Sequence, residues 1–368
     1  MTRLALVLAL AAAAPAMAND GIGSVSTGGI IVGKTDAVAM KKEVLTVSPD
    51  LIKVEYEFLN ESKADVEETI IFPLPAYEAG YHQSPTYYGQ PQQFSIEVDG
   101  KPRDYQTVLL AKLDGKDVTA RLKALGLTDK QVAYFPSFTP FDRKVEPLTA
   151  TQKKALIEDG LLAKLSDDEE WVPAWSVTVV YQWQQKFAAG KTVRVRHQYA
   201  PFIAAGPGAS YLGEGKEFEK KYCGDKAFYA TWNKLAKKQG ESGFVNAKWV
   251  SYILKTGNTW KNGIEDFTLN LVKGKPDELI SLCFPGTFTK INPTTLQVKL
   301  RNFRPTQDLN VYFGNVESGS ENTGEAPALR SNYLKTKSPP ALLIRWRPAA
   351  CCAGASAAGP RHRRRSSR

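Results

Sequence analysis

Three histidines, His82, His197 and His362, are the only imidazoles in this chain, and none has a second His or Cys at metal-ligand spacing. A histidine-based zinc site is therefore not expected. Gly-x-Ser-x-Gly, Ser-x-x-Lys, His-Glu-x-x-His and the Gly-rich phosphate loops are all missing, which lowers the odds of the common hydrolase and nucleotide-enzyme classes. The run Asp167-Asp168-Glu169-Glu170 could hold a hard cation but lacks the spaced Asp/Asn and Gly of a calcium loop, so it reads as a solvated charge run. Glu265 and Asp266 could divide acid and base roles if their environments separated their pKa values. Neighbours on a strand point to opposite faces, which argues against that pair. No catalytic residue, metal ligand or cofactor is assigned.

The segment from Tyr77 to Tyr88 is a better candidate for binding. It gathers Tyr77, Tyr81, His82, Tyr87 and Tyr88 among Pro and Gly, and such loops can present rings to a sugar or peptide. Tyr81, His82, Tyr87 and Tyr88 are the candidate binding residues, with a loop merely packed over the end of the fold as the plainer reading. His197, on the apolar register of its strand beside Tyr199, reads as a packed core histidine.

Strands must position these side chains. Ile52, Val54, Tyr56 and Phe58 alternate with Lys53, Glu55 and Glu57, the period of a strand with one buried face. Asn60 to Lys63 then reads as a turn, with Val66 to Phe72 returning antiparallel. A second hairpin is expected at Phe94–Val98 and Lys101–Val108 around Asp99-Gly100. Trp175 to Trp183 and Val193 to Tyr199, joined by the 188–191 turn, carry large aromatic faces suited to a sandwich core. Between them, Lys116 to Leu125 and Thr151 to Leu165 have helix-forming composition, so residues 111–170 read as a helical insertion.

Turn residues accumulate around Gly206-Pro207-Gly208, a candidate boundary. A helix from about Asp225 to Lys238, with Asp225 as N-cap, is expected after it, followed by strands at Trp249–Leu254, Phe267–Val272, Leu279–Phe284, Leu296–Leu300 and Leu309–Phe313. The expected fold is mainly β: antiparallel β-sandwich-type sheets with a helical insertion and a second, smaller β-rich unit. Residues 19–205 form the first domain and 206–316 the second.

The ends set the compartment. Arg3 precedes an apolar run from Leu4 to Ala14, and Ala16-Met17-Ala18 is a small-x-small cleavage site, so residues 1–18 read as a signal peptide cut before Asn19. The run is shorter than the roughly 20 residues of a spanning helix. A periplasmic or secreted protein, not an integral membrane protein, is expected. The formal charge is +10, but Arg3 and the seven arginines of residues 341–368 account for all but +2 of it. The global charge is thus a poor argument for nucleic acid, and no nucleic-acid partner is expected. Residues 317–368, rich in Gly, Ser, Pro and Arg, read as a disordered or adventitious basic tail outside the folded unit.

Three stretches carry a family resemblance: Asn19-Asp20 with Gly28-Gly29 and Met40; Val54 to Asn60 leading to Phe72-Pro73-Leu74-Pro75; and Trp249 to Trp260 with Phe267-Thr268-Leu269 and Ser281-Leu282-Cys283. Over about residues 19–313 the chain resembles a family of exported bacterial proteins known only as a domain of unknown function. The resemblance implies an exported, β-rich protein and supplies no catalytic residues. Cys223 and Cys283 are the only cysteines in that region, and export places them where disulfides persist. Their pairing is the economical reading, two buried thiols the other. The function expected is a non-catalytic binding or scaffold module for an unknown envelope protein or polymer; the alternative is a hydrolase acting on an envelope glycan or peptide through carboxylates.

Overall fold

A computed structural model describes residues 19–26, 29–79, 94–133, 145–164, 171–201, 203–207, 216–239 and 245–316. The chain is mostly β, as the alternation predicts, and two large sheets carry most of it. The seven-stranded sheet contains β1 (Gly21–Ser26), β2 (Gly29–Val32), β5 (Val66–Pro73), β6 (Tyr77–Glu78), β9 (Gln106–Leu113), β10 (Lys116–Asp117) and β13 (Ser176–Phe187). Its order is β10-β9-β13-β5-β1-β2, with β6 also paired to β13.

The eight-stranded sheet runs from β19 (Thr289–Asn292) through β20 (Thr295–Phe303), β17 (Ile264–Val272), β3 (Val38–Val47), β4 (Ile52–Asn60), β14 (Thr192–Tyr199) and β7 (Ser95–Val98) to β8 (Lys101–Pro102). All its pairings are antiparallel except β17 with β3, so strands from both sides of residue 206 share one sheet. A four-stranded sheet orders β15 (Ile203–Pro207), β16 (Asn246–Tyr252), β21 (Leu309–Gly314) and β18 (Leu279–Ser281); β11 (Leu162–Lys164) and β12 (Trp171–Pro173) pair alone.

The two large sheets face each other across one core. Phe58 meets Phe187 at 6.0 Å between ring centroids, and Phe72 meets His197 at 5.0 Å. Ile52, Val54, Tyr56 and Phe58 of β4 are buried, while Lys53, Glu55 and Glu57 stay on the outer face, where Arg196 and Arg194 of β14 pair with the glutamates. Interdigitated apolar side chains from facing sheets are the dominant stabilising term of such a sandwich.

The expected hairpins are the main point at which the structure differs. β4 pairs with β3 and β14, whereas β5 pairs with β13 and β1, so the 61–65 turn carries the chain from one sheet to the other. The same holds at the 188–191 turn, since β13 and β14 lie in opposite sheets. Around Asp99-Gly100 the hairpin does form, both residues taking positive φ (50° and 76°), but only as far as β8; the chain then crosses and β9 joins the seven-stranded sheet. A buried face fixes which side of a strand points inward and leaves its lateral partner open.

The insertion holds α1 (Thr119–Ala124), α2 (Asp129–Ala133) and α3 (Ala150–Glu158). The predicted helix from Lys116 starts three residues late, because Asp114 and Gly115, at φ 49° and 77°, turn the chain into β10. The one predicted to Leu165 stops at Glu158, where Gly160 takes φ 67° and β11 follows. Thr149 and Gln152 close a reciprocal capping box at the start of α3. Further on come α4 (Lys216–Tyr222) and α5 (Lys226–Lys238), and Asp225 caps α5 by accepting from the Phe228 amide at 2.7 Å. The strand pattern continues through Pro207 instead of stopping at Gly206, since β15 pairs with β16 across that stretch. Cys223 and Cys283 are joined as a disulfide, with Cα atoms 5.0 Å apart. No described helix is long and apolar enough to cross a membrane.

Candidate binding cleft and buried polar cluster

The chain's crossing from β8 to β9 leaves a surface cleft of about 520 Å³ beside the middle of β13. Arg103 and Tyr105 come from the crossing segment, Gln106 from the start of β9, Gln182 and Gln184 from the outward register of β13, and Thr69 from β5. The positions follow from strand alternation: Tyr181 and Trp183 point into the core, so the glutamines between and beside them must point out. Gln182 donates to Gln106 Oε1 at 3.1 Å, Gln184 donates to Thr69 Oγ1 at 2.9 Å, and Arg103 donates to the Gln184 carbonyl at 2.6 Å. Tyr105 anchors the wall through its hydroxyl, which donates to the Phe94 carbonyl at 3.1 Å, and through edge contacts with Phe94 and Tyr181. The result is a pre-formed set of amide, hydroxyl and guanidinium groups within the size range of ligand sites.

A second constellation lies inside the core. Asn19, Asp20, Glu43 and His197 are each 0% exposed. His197 Nε2 and Asp20 Oδ1 are 2.8 Å apart, and Asn19 Nδ2 donates to Glu43 Oε2 at 3.0 Å. The Tyr56 hydroxyl donates to Asn19 Oδ1, accepts from the Asp20 amide at 3.3 Å and lies 3.1 Å from the Tyr252 hydroxyl. Trp260 Nε1 donates to the Asp20 carbonyl at 2.7 Å. Burial pushes the Glu43 carboxyl up to about 8, against the Asn19 hydrogen bond, with the Asp20 charge adding to the rise. Burial likewise raises Asp20, opposed by His197. Tyr56 and Tyr252 stand well above the ordinary phenol range, also through burial. Asp20 Oδ2, Glu43 Oε1, His197 Nδ1 and Thr256 Oγ1 are buried without a hydrogen-bond partner.

Alternation along β4 and β14 placed Tyr56 and His197 inward, yet nothing local announced that Asn19 and Asp20 would meet them. The one signal available was the resemblance: Asn19-Asp20, the β4 stretch and Trp249 to Trp260 are three of its segments, and they converge here.

The other sequence candidates fare differently. Tyr81, His82, Tyr87 and Tyr88 lie outside the described residues, as do Asp167 to Glu170, residues 1–18 and residues 317–368. Glu265 pairs with Lys41 at 2.5 Å, a lysine it shares with Glu61, and Asp266 pairs with Arg301 at 3.0 Å, so the two carboxylates face different cations. The Lys41 contact keeps Glu265 below its usual value despite partial burial. Among the described residues, no group of three His, Cys, Asp or Glu side chains is disposed to hold a metal ion.

A family model described as a domain of unknown function, DUF4424, matches residues 18–312. No curated protein sequence matches significantly. Among solved structures, the chain is similar to a protein from Legionella pneumophila described provisionally as a nutrient binding protein, at 16% identity and TM-score 0.38, covering 81% of this chain and 72% of that one. It also aligns with an M1 zinc metallopeptidase from Deinococcus radiodurans (10% identity, TM-score 0.26, 76% of this chain and 43% of that one). Yeast LTA4 hydrolase aligns at 7% identity and TM-score 0.24, over 77% of this chain and 30% of that one.

Proposed function

The chain belongs to the DUF4424 family, and we propose that it is an exported, non-catalytic binding module of the bacterial envelope that takes a neutral, polar segment of an envelope glycan in the cleft beside β13. The observation that carries this reading is the distribution of polar groups. The carboxylates raised by burial, Asp20 and Glu43, are sealed from solvent, whereas the solvent-facing cleft presents three glutamine amides, each with a donor and an acceptor at one tip, beside the opposite charges of Arg103 and Asp104. Paired donor and acceptor groups suit vicinal hydroxyls, and a site already ordered by Gln182–Gln106 and Gln184–Thr69 bonds loses little entropy on binding. The disulfide accords with an oxidising compartment. Tyr81, His82, Tyr87 and Tyr88 remain a second contact surface on sequence grounds.

Titration calorimetry of the mature protein with soluble envelope glycan fragments tests the proposal. Gln106→Ala with Gln182→Ala is expected to weaken binding roughly tenfold while shifting the melting temperature little, because both side chains are at the surface. Tyr87→Ala with Tyr88→Ala is expected to weaken it further if the loop contributes. Unchanged affinity in the glutamine variant removes the cleft; binding of peptides in place of glycans changes the ligand class; saturable turnover would replace binding with catalysis.

A further inference from the structure

Residues that follow a leader are ordinarily loose, because a free chain end has little to hold it. Asn19 and Asp20 are instead completely buried and built in from several sides. The Asp20 backbone is held by Tyr56 and Trp260, and Gly21 lies so close to the next element that a Cβ there would sit 2.9 Å from the Thr256 Cβ. Gly257 closes the other side: a Cβ there would be 2.9 Å from Ile264 Cδ1 and 3.4 Å from Asn19 Nδ2.

The two acids of this pocket are unequally partnered: Asp20 has the His197 imidazole at 2.8 Å, whereas Glu43 has only the Asn19 amide and no described cation. Each acid has one buried oxygen that has no hydrogen-bond partner. His197 acts on Asp20, and Asn19 and the Asp20 charge act on Glu43, with the Tyr56 and Tyr252 phenols beside them and no described Lys or Arg among these groups. Buried carboxylates are costly unless paired or protonated.

We infer that Asn19 is the amino-terminal residue of the mature chain and that its α-ammonium is the counter-ion of Glu43, so that removal of the leader completes the core. The inference rests on the exported reading above, with cleavage before Asn19. The α-nitrogen is four covalent bonds from Nδ2 and hence at most roughly 5 Å from it. Nδ2 itself is 3.0 Å from Glu43 Oε2. The α-nitrogen therefore lies within roughly 8 Å of Glu43 Oε2, a range at which a charge in a dry interior still acts on a carboxylate. Hydrolysis of the Ala18–Asn19 bond by the exporting cell's leader peptidase consumes one water, leaves a carboxylate on Ala18 and frees an amine on Asn19 that takes up a proton. A single amide N–H thereby becomes three donors and a positive charge. Before the cut, Glu43 stays neutral until about pH 8 because burial disfavours its charge.

The test compares the mature chain beginning at Asn19 with the same chain carrying one extra glycine before it, each with and without Glu43→Gln. Intact mass of the exported protein comes first: a start at another residue removes the exported-cleavage reading itself, and with it this inference. Given a start at Asn19, the extra glycine is expected to lower the melting midpoint by roughly 5 °C, and by much less in the Glu43→Gln background. Equal drops in both backgrounds would show steric crowding and overturn the counter-ion role. A carboxyl NMR titration needs no variant at Glu43: with the glycine present Glu43 is expected to titrate near 8, and with the amine on Asn19 itself distinctly lower. Identical titrations in the two chains would also overturn it.

Discussion

The Tyr56 hydroxyl holds three groups at once, Asn19, the Asp20 amide and Tyr252, whereas the buried Tyr199 hydroxyl has no hydrogen-bond partner. Removing each oxygen separates packing from hydrogen bonding, since phenylalanine keeps the ring contacts. Tyr56→Phe is expected to cost about 2 kcal/mol, because it strands the buried Asp20 amide and leaves Asn19 Oδ1 only the 3.5 Å contact with the Tyr252 hydroxyl. Tyr199→Phe should be neutral or stabilising, because an unpaired buried hydroxyl contributes only its desolvation cost. Calorimetric melting of both variants checks this; equal losses would mean that ring packing, not the network, holds the cluster. At this scale the sequence was partly legible. The inward register of Tyr56 and His197 could be read from alternation, but their partner Asn19-Asp20 lies 37 and 177 residues away along the respective bonds, beyond any local pattern.

Between elements, one asparagine ties two of the sheet-to-sheet crossings together. Asn60, fully buried, donates from Nδ2 to the carbonyls of Ala64 at 2.8 Å and Phe187 at 2.9 Å, and its Oδ1 accepts from the Ser62 amide. Its backbone is bonded to Lys191 and Gly190 at the neighbouring turn. Asn60→Ala would take the side-chain donor from the buried Phe187 carbonyl and loosen the 61–65 turn, and is expected to cost about 2 kcal/mol in denaturant unfolding. Asp225→Ala, which removes only the α5 cap, should cost about 1 kcal/mol. A smaller loss at Asn60 than at Asp225 would contradict the pinning role. The Asn60-Glu61-Ser62-Lys63 stretch was readable as a turn. That it joins two sheets was not, because a turn's composition reports its local backbone and not the sheet to which the next strand is added.

For the molecule as a whole, the disulfide and the apolar clusters divide the labour. Phe218, Tyr222, Phe228 and Trp232 pack on Tyr312 as a satellite, apart from the main core between the large sheets. The Cys223–Cys283 bond, closing a separation of 60 residues, fastens α4 to the segment after β18. Cross-linking a loop of that length stabilises by about 4 kcal/mol in the chain-entropy model. Reduction should therefore expose α4, α5 and β18 to amide exchange first and leave β4, β5, β13 and β14 protected. Exchange mass spectrometry before and after reduction reads this directly, and uniform loss of protection would show the two clusters to be one cooperative unit.

By itself the sequence determined the β-rich class, the inward faces of β4, β13 and β14, the α5 cap at Asp225 and the pair of cysteines open to bonding, because each depends on side-chain periodicity or on a neighbour within a few residues. The tertiary structure alone decided that β17 lies parallel to β3, that two expected hairpins part into opposite sheets while a third pairs only as far as β8, and that Asn19-Asp20 is enclosed by β3, β4, β14 and the Tyr252–Trp260 segment. Those are choices among lateral partners with equally good inward faces, and they are settled by which arrangement buries the most apolar surface while pairing the polar groups it encloses.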